Sequence, residues 1–153
     1  MDRTFNKWIG AALVTAMFCI IGLVTADTAL SAGGQESRCS DNGDGTLTDR
    51  NTGLMWQKAT AGPMNWYDAR SYASGLSLGG HSGWRLPTVD ELQALFYSPC
   101  KDTMDVIIDF YWSSSPFPNK SNYAWVVSFR NGGAGYGGYD DFKLRVRCVR
   151  NSN

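Results

Sequence analysis

The stretch Ser77-Leu78-Gly79-Gly80-His81-Ser82-Gly83-Trp84-Arg85-Leu86-Pro87-Thr88-Val89-Asp90-Glu91-Leu92-Gln93-Ala94-Leu95 decides the fold. Its first half is a glycine-rich turn. Its second half carries a Thr-x-x-Glu capping box behind Pro87, in which Thr88 and Glu91 each satisfy a backbone N–H of the other. Val89, Leu92, Leu95 and Phe96 then recur at helical spacing, so a helix with one buried stripe starts at Thr88 and ends at Pro99 and Cys100. Trp84 and Arg85 lie between the turn and the cap. An arginine beside an aromatic ring can hold an anion or a sugar, but at a turn-to-cap junction its donors are more often needed to pin irregular backbone, and both residues are assigned to the scaffold. His81 has no second ligand or nucleophile beside it in the sequence and is assigned to the turn.

Working upstream, Asn65 is an N-cap that Asp68 can answer, and Trp66, Ala69, Ala73 and Leu76 share one face of a first helix ended by Gly75 or Gly79-Gly80. Before it, residues 46–49 and 54–57 flank the turn Arg50-Asn51-Thr52-Gly53, a hairpin pattern. The run Asp41-Asn42-Gly43-Asp44-Gly45 invites a calcium-loop reading. Placing Asp44-Gly45 at positions 5 and 6 of an EF-hand puts Ser40 at position 1 and Asn51 at position 12, where Asp and Glu are needed, so Asx turns are favoured and no metal is expected.

Working downstream, Tyr111-Trp112-Ser113-Ser114 predicts a short strand, residues 116–122 a polar loop and residues 123–129 a central strand. Asn131-Gly132 is a hairpin turn leading into the glycine-rich return 134–139. Residues 143–150 alternate strictly: Leu144, Val146 and Cys148 point one way and Lys143, Arg145 and Arg147 the other, which predicts a buried face and a basic face. Trp56, Trp112 and Trp125 are expected in the core. Hairpin, two short helices, then a mainly antiparallel sheet make an α+β domain over residues 39–151.

Residues 1–26 read as a signal peptide: Arg3 and Lys7, an uncharged apolar run of about 17 residues, then Val24-Thr25-Ala26 as the cleavage site, with Ala32 as a later alternative. Uncleaved, the run sits at the short edge of what spans a bilayer, so membrane contact is expected only through this segment. Residues 27–38 read as a linker. Removing residues 1–26 leaves 12 basic against 13 acidic side chains, a net charge of −1 that argues against a nucleic-acid partner. Three cysteines remain, and an oxidising compartment favours one bridge. Cys100 with Cys148 is the preferred pairing because both lie within the expected core; Cys39 with Cys148 is the competing one. No Cys-x-x-Cys spacing suggests zinc, and no Gly-x-Ser-x-Gly elbow suggests acyl transfer.

The ordered motifs Asp41-Asn42-Gly43-Asp44-Gly45-Thr46-Leu47-Thr48-Asp49, Thr52-Gly53-Leu54-Met55-Trp56, Gly83-Trp84-Arg85-Leu86-Pro87-Thr88, Tyr111-Trp112-Ser113-Ser114, Tyr123-Ala124-Trp125 and Arg145-Val146-Arg147-Cys148-Val149-Arg150 resemble those of the Lcl C-terminal domain family, long a domain of unknown function. The resemblance implies a C-type-lectin-like fold, related in shape to formylglycine-generating enzymes, on extracytoplasmic or surface proteins of bacteria. In the founding adhesin it implies a trimer that binds sulfated polysaccharides. The chain departs from many relatives in having Ala73 where they carry a cysteine, and it has no Gly-X-Y repeat before the domain. The paired cysteines of a formylglycine-generating site are absent, so the fold kinship brings no catalysis with it.

These observations together lead to an expected function: an exported, non-enzymatic recognition or adhesion module without cofactor, binding a glycan or surface polymer. The alternative is a structural or assembly component with an envelope protein partner. Tyrosine rings with Asn and Asp acceptors suit sugar hydroxyls, which makes Asn119, Asn122, Tyr136, Tyr139, Asp140 and Asp141 the expected binding residues. The basic face of Arg145 and Arg147 is the competing site for an anionic polymer.

Overall fold

A computed structural model of the chain describes residues 37–153, so the expected signal segment and linker residues 27–36 lie outside the described residues. The capping signals are realised as read. Asn65 caps α1 (Trp66–Gly75) by accepting from the Asp68 N–H, and α2 (Val89–Phe96) opens on the full Thr88/Glu91 box. Trp66, Ala69 and Ala73 are buried on α1, and Leu92 and Leu95 on α2. A 3-10 helix, Pro99–Thr103, follows.

Among the described residues nine strands form two sheets. The first has the order β1-β2-β3-β9, with β1 (Cys39–Asp41), β2 (Thr46–Asp49), β3 (Leu54–Gln57) and β9 (Val149–Asn151). The second has the order β4-β8-β5-β6-β7, with β4 (Ala61–Met64), β5 (Phe110–Pro116), β6 (Tyr123–Ser128), β7 (Ala134–Gly138) and β8 (Leu144–Val146). Every pairing is antiparallel except β5 with β8. The α+β class is as expected; β1 and β4 are additions that short, turn-rich sequence did not announce.

Two core clusters follow from strand alternation. Val127 and Phe129 join Tyr111, Leu92, Leu95, Leu47, Trp56 and Cys100 beneath α2. Ala124 and Val126, with the opposite parity on β6, join Trp112, Trp66, Ala69, Ala73, Val146 and Cys148 beneath α1. The Asn131-Gly132 turn forms as read, and only glycine fits there. Gly132 has φ +74°, and a Cβ on it would meet the Phe96 ring at 2.5 Å. The acidic run makes Asx turns: Asp41 accepts from the Gly43 N–H and Asp44 from the Thr46 N–H.

Three expectations are corrected. The disulfide joins Cys39 to Cys100, with Cα atoms 5.2 Å apart, and Cys148 is a buried free thiol. Cys100 and Cys148 belong to the two different clusters, which is why they do not meet. Burial pushes the Cys148 thiol up to about 12, leaving it protonated and inert.

The basic face is the second correction. Residues 143–150 are not one strand: β8 ends at Val146 in one sheet and β9 begins at Val149 in the other. At the crossing Arg147 is wholly buried, donating to the carbonyls of Gln57, Lys58 and Asp105 and to the Thr60 hydroxyl, while its Nε has no partner. Burial pulls this guanidinium below its usual range, against the opposing pull of Tyr111 and Asp105. Arg145 pairs instead with Asp109 at 3.1 Å. The third is Trp125, which is half-buried rather than in the core.

Candidate functional site

α2 is only eight residues long and covers Val127 and Phe129, so the earlier residues of the same face of β6, Tyr123 and Trp125, lie beyond its cluster. Trp125 stands directly opposite Tyr136 of β7, and the loop after β5 brings Phe117 against both. Phe117 lies 4.7 Å from the Trp125 ring and 4.4 Å from Tyr136, and Tyr123 lies 5.9 Å from Tyr136. Tyr136 is 51% exposed. Four rings thus form a platform on the open part of the sheet.

Local backbone fixes what rims this platform. The Phe117 N–H donates to the Tyr123 carbonyl at 2.8 Å, closing the loop, and Asn119 and Asn122 take left-handed φ of 60° and 66°, a conformation that Asn tolerates better than most residues. The loop sets Lys120 over two rings, its Nζ 4.5 Å from the Tyr136 centroid and 4.9 Å from Tyr123. A cation so placed is held by the ring quadrupoles and keeps its donors turned to solvent.

Of the six expected residues, Asn119, Asn122 and Tyr136 are brought together here. Asn119 and Asn122 act as turn formers, and Tyr136 is the exposed ring. Tyr139 is placed elsewhere: it stacks on Trp66 at 4.0 Å with 7° between planes, and its carbonyl accepts the Trp66 N–H. Asp140 and Asp141 are exposed in the following turn, and the Asp141 carboxylate lies against Gly138. Sequence reasoning missed Trp125 and Lys120; the signal for Trp125 was its shared parity with Tyr123 on a face that a two-turn helix is too short to cover.

A second depression of about 350 Å³ lies between α1 and residues 84–86, edged by Tyr67, Arg70, Ser71, Ser74 and Ser114. Its other guanidinium is already committed. Arg85 makes a two-pronged pair with Glu91, both contacts at 2.7 Å, donates to the Leu86 carbonyl, and exchanges backbone hydrogen bonds with Val149. These contacts place Arg85 in the scaffold between turn and cap, and the His81 carbonyl in the preceding turn accepts the Trp84 indole N–H at 3.0 Å.

Glu91 is thus bonded to both the helix cap and Arg85. Burial pushes its carboxyl up, but the Arg85 hydrogen bond, the Thr88 N–H and the Arg85 charge outweigh burial and hold it below the ordinary range. A depressed carboxylate contributes stability that is present above its unfolded value, roughly 4.3, and is lost as pH falls through the folded value. Glu91→Ala is expected to lower stability at neutral pH by about 1–2 kcal/mol through cap and ion pair together. The difference from the parent should shrink in acid. Urea titrations at pH 7 and pH 3 check this, and an equal difference at both would refute the assignment.

The model of the Lcl C-terminal domain family matches residues 45–150, which takes in both sheets' central strands, both helices and the whole aromatic platform. No curated protein matches the chain.

Proposed function

Because the chain belongs to the Lcl C-terminal domain family, we propose that it is an exported, non-enzymatic recognition or adhesion module with a C-type-lectin-like domain, binding a glycan or surface polymer across the ring platform. The observation that carries this reading is the platform itself. Phe117, Tyr123, Trp125 and Tyr136 gather on one sheet face, with Tyr136 half exposed, and Lys120 is held above the tyrosines. Flat rings offer stacking surface for the apolar faces of sugar rings, and a few fixed polar groups at the rim supply orientation. Tyr and Trp give that area at small entropic cost because each has only two side-chain torsions. The disulfide agrees with an oxidising compartment, and among the described residues no helix is long and apolar enough to cross a membrane.

A glycan array and an envelope pull-down with the folded chain test the proposal, and two blanks would count against it. Once a ligand is found, Trp125→Ala with Tyr136→Ala is expected to weaken binding at least tenfold, about 1.4 kcal/mol or more, while near-UV circular dichroism keeps a folded signature. Tyr139→Ala, by contrast, removes the ring stacked on Trp66 and should affect stability more than binding. If binding survives the first change and disappears with the second, recognition lies by α1 and not on the platform.

A further inference from the structure

Along α1, Tyr67, Arg70, Ser71 and Ser74 fall at helical spacing beside the buried stripe, so one polar face of the helix looks across at residues 84–86. Serine at 71 and 74 is too short to bridge that gap, which leaves the depression of about 350 Å³ open there. Its far wall is fixed. The Ser114 N–H and hydroxyl both donate to the Pro87 carbonyl, at 2.7 and 3.2 Å, and Arg85 is bound to Val149 through its backbone and to Glu91 through its side chain. Trp84 and Leu86, both buried, supply the apolar part of the lining.

Arg70 is the group left over. Its guanidinium lies 4.8 Å from the Trp66 ring centroid and is held by that ring, while its donors make no hydrogen bond or ion pair among the described residues. The Tyr67 and Ser71 hydroxyls beside it make no hydrogen bond among the described residues either. Glu91 neutralises Arg85 at 2.7 Å, and no acidic side chain lines the depression, so one positive charge there is uncompensated.

We propose that this depression is a subsite for a sugar acid, whose carboxylate Arg70 receives. A guanidinium fork takes both oxygens of a planar carboxylate in two parallel hydrogen bonds. A tetrahedral anion presents further oxygens that call for a second cation, and the second arginine here is committed to Glu91. The Tyr67 and Ser71 hydroxyls can donate or accept, which suits ring hydroxyls next to the carboxylate. The volume is at the small end of ligand sites, which run from about 300 to 1,000 Å³, so a single sugar ring fits. The subsite stands on α1 and rests on nothing in the ring platform.

Sodium glucuronate titrated into the full chain at constant ionic strength, followed by saturation-transfer NMR of the ligand, tests it. Binding is expected to saturate, with methyl glucoside, which lacks the carboxylate, at least tenfold weaker. Arg70→Gln removes the charge from an exposed helix position and should weaken glucuronate at least tenfold with the far-UV circular dichroism unchanged. Ser71→Phe fills the depression with Arg70 in place and should do the same. Arg130→Gln, at an exposed arginine outside the depression, is the control and should change nothing. No saturable binding by the parent, equal binding of methyl glucoside, displacement by inorganic sulfate at glucuronate's own concentration, or full affinity in Arg70→Gln would each overturn the inference. Loss of glucuronate binding in Trp125→Ala with Tyr136→Ala would also overturn it, by moving the carboxylate to Lys120 and the platform.

Discussion

Replacing Arg147 by methionine is expected to remove about 3–5 kcal/mol of stability, a large share of the 5–15 kcal/mol typical of a small domain. Methionine fills much of the same volume, so the loss comes from polar groups and not from a cavity. The carbonyls of Gln57, Lys58 and Asp105 and the Thr60 hydroxyl all converge on this one guanidinium; without it the Gln57 carbonyl loses its donor, and the Lys58 and Asp105 carbonyls keep only the Asp105 N–H and the Thr60 hydroxyl. Lysine cannot substitute: a single ammonium lacks the planar fork that reaches residues 57–60 and Asp105 at once. The control is Arg145→Met, which breaks a partly exposed pair with Asp109 and should cost within about 1 kcal/mol. Urea midpoints of the two variants decide the matter, and equal losses would show that Arg147 does not act as the internal cross-link.

The second large effect is expected from Cys39→Ala with Cys100→Ala. A bridge across a sequence separation of 61 restricts the unfolded chain by about 4 kcal/mol on the loop-entropy account. Cys148→Ala leaves this bridge in place and removes only a small buried thiol, so its cost should be clearly smaller. Non-reducing peptide mapping checks the pairing itself. A Cys100–Cys148 peptide in the folded protein would refute it.

The parts of the fold written in contiguous residues were legible from sequence. The Thr88/Glu91 box, the Asn65 cap and the Asn131-Gly132 turn depend on groups a few positions apart, and each formed where it was read. What depended on distant segments was not legible. Alternation along residues 143–150 says that two faces exist; it does not say that residues 57–60 and 105 close over the second, which is what buries Arg147. The cysteine pairing failed for the same reason, since β1 reaches Cys100 only through its place at the edge of a sheet that closes with the last strand. The candidate platform was half legible: Tyr136, Asn119 and Asn122 were picked out by residue type, whereas Trp125 was lost to the general rule that tryptophans are buried. Its exposure is set by the length of α2, a property of another segment.

The bridge between Cys39 and Cys100 also governs how the domain carries mechanical force. A pull arriving along the chain from its N-terminal side reaches Cys39 and passes covalently to Cys100, so β1 to β4 and both helices, all between those two residues, are shielded from extension. About 200 Å of chain, at about 3.3 Å per residue over that separation of 61, is withheld from stretching. Tension goes directly into the segment that begins at the 3-10 helix and continues through β5 to β7, the strands that carry the platform. A load applied there would reach any attachment on the N-terminal side by a short path, and the first half of the domain would stay folded while the second half bore the strain.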